Sequence, residues 1–65
     1  MKIQVNGTLV DTMATTIQEY LSEAGYKDKP VAVEHNGQLV SKAMYSDVVL
    51  TAADRLEIVA FVGGG

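Results

Sequence analysis

The chain closes on three consecutive glycines, Gly63, Gly64 and Gly65. They follow directly on an apolar stretch, Leu56-Glu57-Ile58-Val59-Ala60-Phe61-Val62. A structured strand that runs into a thread without side chains points to the terminal carboxylate of Gly65 as the working group. Other chemistry is scarce. There is no cysteine, hence no disulfide, no thiolate nucleophile and no cysteine-ligated metal. His35 is the single histidine, and a structural or solvent-facing role is expected for it. The carboxylates Asp11, Glu19, Glu23, Asp28, Glu34, Asp47, Asp54 and Glu57 lack the spacing of a metal loop. They are expected on the solvated surface, a minority of them meeting a basic partner. With no nucleophile–base pair and no cofactor loop, the chain is read as something acted upon and not as an enzyme, with no bound cofactor or metal.

The elements that must present such a terminus follow from periodicity. Residues Met1 to Val5 alternate, with Ile3 and Val5 on one face, as in a half-buried strand. Asn6-Gly7 is a strong hairpin signal, because both positions tolerate positive φ, and a second strand is expected over Thr8 to Asp11. The period then changes. Ile17, Tyr20, Leu21 and Ala24 fall on one helical face and are expected in the core. Thr16 and Glu19 have capping-box spacing, and Gly25 suits the position just past the end, which places a helix over Thr16 to Ala24. After the polar connection ending at Pro30, Val31 to His35 reads as a strand. Asn36-Gly37 turns it back into Gln38 to Val40. Residues Ser41 to Leu50 are irregular, with one helical turn at Ala43 to Tyr45. Arg55 to Val62 reads as a final strand, and its nearly continuous apolar pattern predicts a central strand buried on both faces. The result is an α+β roll: a mixed sheet of four or five strands on one helix, a domain over residues 1–62 and a tail over 63–65.

Composition narrows the function classes. Sixty-five residues, 48% of them hydrophobic, make one small core. The net charge is −3, and Lys2, Lys27, Lys29, Lys42 and Arg55 are scattered along the chain. That pattern argues against nucleic acid and fits a partner with a basic patch. Apolar runs are too short for a membrane span, and no signal-peptide pattern follows Lys2. The lack of disulfides fits a reducing cytosol, so a cytoplasmic protein, monomeric when free, is expected.

The motifs carry a likeness that covers essentially the whole chain. They are Ile3-x-Val5-Asn6-Gly7, Ile17-x-x-Tyr20-Leu21, Val31-x-Val33-x-x-Asn36-Gly37, Tyr45, and the closing Asp54-x-x-Glu57-Ile58-Val59-x-Phe61-Val62-Gly63-Gly64-Gly65. In these the chain resembles the ThiS/MoaD family of ubiquitin-like sulfur carriers, on its thiamin-biosynthesis side. The closing block is the specific part. Two departures stand out: Ala53-Asp54 replaces the Gly-Asp turn of many relatives, and Ser41 stands where a proline is common.

The resemblance implies a β-grasp fold and a division of labour. A ThiF-like adenylating enzyme would use ATP and Mg²⁺ to activate the Gly65 carboxylate, which is ionised at neutral pH and a poor electrophile. A persulfide protein would supply sulfur, leaving a C-terminal thiocarboxylate for a ThiG-like thiazole synthase. Gly63 and Gly64, lacking Cβ, would pass through a narrow channel, and three extended residues reach roughly 10 Å. Phe61 and Val62, beside the tail, are candidates for docking on the activating enzyme. Three other readings stay open: a molybdopterin synthase small subunit or carrier for another metabolite, a ubiquitin-like modifier of lysines, and an interaction module with an inert tail.

Overall fold

A computed structural model describes residues 1–61. Its elements are β1 (Lys2–Val5), β2 (Thr8–Asp11), α1 (Ile17–Glu23), β3 (Val31–His35), β4 (Gln38–Val40), a 3₁₀ turn (Lys42–Met44) and β5 (Arg55–Ala60). The strands form one mixed sheet in the order β2-β1-β5-β3-β4. The last strand in sequence is therefore the middle strand in space. It runs parallel to β1, with Gln4 opposite Arg55 and Val5 opposite Leu56. It runs antiparallel to β3 over five registered pairs, from Val31–Ala60 to His35–Leu56. A single helix held by a mixed five-stranded sheet is the β-grasp arrangement.

Both hairpins form at the Asn-Gly pairs. Asn6 and Gly7 have φ of 51° and 81°, and Asn36 and Gly37 have φ of 50° and 87°. Two successive left-handed residues match the right-handed twist of the flanking strands, which is why Asn-Gly is favoured there. The helix begins at Thr16, whose hydroxyl accepts from the Glu19 amide at 3.1 Å. Glu19 reaches back one residue further than a simple capping box, to the amide and hydroxyl of Thr15, both at 2.7 Å. The Thr15 amide, more than any other neighbour, holds the Glu19 carboxyl below its usual range.

The irregular segment after β4 has a structural task. The Val48 and Tyr45 carbonyls accept from the Ile17 and Gln18 amides, and the Thr15 carbonyl accepts from Leu50. These bonds satisfy donors that a helix N-terminus leaves orphaned. A short helix is thereby tied to a long connection that otherwise has only one 3₁₀ turn.

The core lies between α1 and one face of the sheet. Ile3, Ile17, Val33 and Leu56 are its most completely buried side chains, joined by Val5, Tyr20, Leu21, Tyr45, Leu50 and Ile58. Two expectations are corrected. First, Ala24 is not in the core: it caps the helix and is exposed. The apolar stripe ends one turn earlier, at Leu21. Second, β5 is central but not buried on both faces. Leu56 and Ile58 are buried, whereas Arg55, Glu57 and Val59 are exposed, because only one face of the sheet carries a helix. Among the described residues, no helix is long and apolar enough to cross a membrane.

Candidate functional site

The sequence-based candidates centre on the end of β5. Of these, Phe61 is described; Val62, Gly63, Gly64 and Gly65 lie outside the described residues. Phe61 is 56% exposed, and its amide donates to the Pro30 carbonyl at 3.0 Å. This bond carries the β3–β5 pairing one step beyond the strand, to Phe61.

What holds β5 so firmly was not legible in the hairpin motifs. Where β1 ends, the Asn6 side chain takes over as a substitute strand. Its Oδ1 accepts from the Ile58 amide at 2.7 Å, its Nδ2 donates to the Ile58 carbonyl at 3.1 Å, and its own amide donates to the Leu56 carbonyl at 2.9 Å. On the other side, the Asn36 amide donates to the Arg55 carbonyl at 2.8 Å, and its Oδ1 accepts from the Arg55 amide at 2.9 Å. The two turn asparagines thus clamp β5 from both flanks, each with its side-chain amide. The one available signal was their shared motif: an Asn at both turns, where Asp or Gly would also have made the turn.

The start of β5 is fixed by Asp54, and here a third expectation is corrected. Asp54 is not a solvated carboxylate but is 8% exposed. It accepts from the Thr51 amide and hydroxyl, both at 2.9 Å, and from Asn36 Nδ2 at 3.2 Å, and it lies 2.8 Å from His35 Nε2. Burial alone would raise its pKa. The partners outweigh burial, with His35 first, and hold the carboxyl well below the usual carboxylate range. His35 therefore has a structural partner within the fold. Asp54 also reaches β1 through its backbone, since its carbonyl accepts from the Gln4 amide at 2.9 Å. Ala53, just before it, has φ of 72°. The left-handed conformation survives at this turn although the residue carries a Cβ.

The uncovered face of the sheet continues toward Phe61. The side-chain alternation that buries Leu56 and Ile58 turns Val59 outward, and Leu9 and Leu39 are exposed on the same face. Beside Pro30 opens a cavity of about 300 Å³, lined in part by Lys27, Lys29, Lys42 and Tyr26. Three of the five cationic side chains of the chain therefore gather there.

The sequence model of the ThiS family matches residues 2–65. The chain belongs to the ThiS family. It is 40% identical to the sulfur carrier protein ThiS of Bacillus subtilis, over 97% of this chain and 98% of that one. The family relation extends to the fold. The crystal structure of a thiamine biosynthesis protein (ThiS) from Geobacter metallireducens superposes with a TM-score of 0.83 over the full length of both chains, at 26% identity. A different kind of relative is the thiazole synthase of Paramagnetospirillum magneticum, 42% identical over all of this chain. A thiazole synthase of Magnetococcus marinus matches to the same degree. The chain spans 20% of the length of each of these two synthases. The chain thus shares both the family motif pattern and the fold of ThiS proteins.

Proposed function

We propose that the chain carries sulfur on the carboxylate of Gly65 and delivers it for synthesis of the thiamin thiazole ring. The observation that carries this reading is the pairing of a clamped central strand with a Gly-Gly-Gly end in a chain without cysteine. A carrier of this kind needs a rigid body, a fixed exit point and a slender end that a partner can thread into its active site. Glycine supplies the last of these, since a residue without Cβ lets the backbone pass through a tight channel.

The chemistry runs through a partner's active site. The Gly65 carboxylate attacks the α-phosphorus of ATP in a ThiF-like adenylating enzyme; pyrophosphate leaves, with Mg²⁺ neutralising its charge. The acyl-adenylate now has a good leaving group. A persulfide on a donor protein attacks the carbonyl and expels AMP, giving an acyl disulfide. A thiolate then attacks the donor's cysteine sulfur in that S–S bond, forming a new disulfide with it and releasing the C-terminal thiocarboxylate. That sulfur is the nucleophile delivered to a ThiG-like thiazole synthase. The likeness to two thiazole synthases supports this recipient, because in those proteins a stretch resembling this entire chain belongs to the synthase polypeptide itself. It favours thiamin over molybdopterin as the pathway served.

The test is intact-mass measurement after incubation with the adenylating enzyme, ATP, Mg²⁺ and a persulfide source. A sulfur-for-oxygen gain is expected, and it should vanish when Gly65 is deleted. Products that consist only of lysine-linked adducts would overturn the carrier reading in favour of a protein modifier.

A further inference from the structure

The cavity beside Pro30 borders a polar group that the fold leaves unsatisfied. Tyr45 is only 6% exposed, so its ring belongs to the core. Its backbone is fully used: the carbonyl accepts from the Gln18 amide at 2.9 Å, and the amide donates to the Lys42 carbonyl at 3.2 Å. Its hydroxyl is not used. A buried tyrosine ordinarily finds a hydrogen-bond partner for that group. The hydroxyls that donate within this fold belong to Thr12, Thr15 and Thr51. Among the described residues the Tyr45 hydroxyl has no partner, yet no unpartnered side-chain oxygen there is sealed from solvent. The open space beside it is the cavity of about 300 Å³ that Tyr45 helps to line.

The rest of the lining has a definite character. Leu21 and Val31 give it an apolar wall, extended by the half-buried ring of Tyr26. Lys27, Lys29 and Lys42 stand exposed at its rim, and none of them forms an ion pair among the described residues. Lys42 comes from the 3₁₀ turn and the other two from the connection after α1, so it is the fold that gathers them. Asp28 is the single acid in the lining. A chain of net charge −3 thus carries a local surplus of two positive charges around one concavity. Such a placement concentrates the field on an anion within it. A phosphate monoester matches the surplus, with a charge of about −1.5 to −2 at neutral pH. Lysines bind phosphate as point charges, and a tyrosine hydroxyl adds one directed donor. The volume and the apolar wall leave room for an organic group on that phosphate.

We propose that this cavity binds a small organic phosphate monoester, with the Tyr45 hydroxyl donating to a phosphate oxygen, Lys27, Lys29 and Lys42 neutralising its charge, and Leu21, Val31 and the Tyr26 ring covering its organic part. A hydroxyl on so buried a residue is within reach of a small molecule and out of reach of a flat protein surface. The inference does not depend on the sulfur-carrier reading, and its test needs no partner enzyme.

The test is a titration of the full-length, isotope-labelled chain with phenyl phosphate, followed by backbone amide shifts in NMR spectra. Shifts at residues 26–29 and 42–45, which border the cavity, should saturate together. The expected Kd is on the order of 1 mM, ordinary for a ligand of this size. Tyr45→Phe keeps the buried ring and should raise that Kd at least about tenfold, because it removes one hydrogen bond to a charged group. K27Q/K29Q/K42Q alters only the exposed rim, so it should stay folded and lose saturable binding. Lys2→Gln, on β1 and outside the lining, should bind as the wild type does. Phenol lacks the phosphate and inorganic phosphate lacks the organic group, and each should bind more weakly than phenyl phosphate. If Tyr45→Phe does not fold, the lysine variant decides: retained binding there overturns the proposal. So does the absence of saturable shifts in the wild type, a response spread equally over Lys2 and Arg55, or an unchanged Kd in a folded Tyr45→Phe. Inorganic phosphate binding as tightly as phenyl phosphate would overturn the assignment to an ester.

Discussion

Asp54 is the residue on which the approach to the chain end turns. It is buried, charged and satisfied by four donors from three residues. Removing the carboxylate breaks those bonds and also strands their donors inside the fold. Its folded-state pKa lies below the unfolded value. The carboxylate therefore contributes stability above the ordinary carboxylate range, and that contribution fades as pH falls through that range and beyond. Asp54→Asn should cost about 1–3 kcal/mol at pH 7. Urea denaturation at pH 7, 5 and 3 should show the gap between wild type and variant closing once the pH falls below about 4. A gap that stays constant with pH would mean that the ionised form is not what the partners favour. The closing motif included Asp54, but residue type and spacing gave its carboxylate no role different from the seven others. Its role depends on His35 and Asn36, distant in sequence, arriving beside Thr51.

At the scale of elements, most of the fold was legible. The periods of β1 and α1 and the two Asn-Gly turns are local signals, and local signals decide where these elements lie. The central place of the last strand also followed from its apolar run. What was not legible was one-sidedness: Val59 and Phe61 are as apolar as Leu56 and Ile58, and only the position of the single helix decides which pair is covered. The asparagine clamp was hidden for a similar reason, since a turn motif reports its own backbone and not the strand its side chain will reach. The turn into β5 offers a test at this scale. Ala53 sits at φ of 72°, where a Cβ costs about 1–2 kcal/mol, while glycine gives back roughly 0.5–1 kcal/mol in unfolded-chain entropy. Ala53→Gly should therefore stabilise the protein by about 0.5–1 kcal/mol and raise the thermal midpoint by roughly 2–8 °C. A lower midpoint would show that the turn is not strained.

Across the whole molecule, folding and chemistry are assigned to different parts of the chain. The core closes with Leu56 and Ile58, while the proposed sulfur site lies beyond the last strand. Gly64→Val should therefore leave the melting temperature within about 1 °C of wild type, since the described core closes among residues 3–58. The same substitution should slow sulfur loading at least roughly a hundredfold, by mispositioning the carboxylate in the partner's channel. A loading rate near wild type in a mass-based time course would show that the channel tolerates side chains. The central position of β5 has one more consequence, for synthesis. Asn6 and Ile58 are 52 residues apart, and the first four strands have no common neighbour until the fifth arrives. On the ribosome such a sheet cannot close early, because its decisive contacts are the most distant in sequence. A protein that reads the finished sheet face thus meets only chains whose translation has passed Ala60.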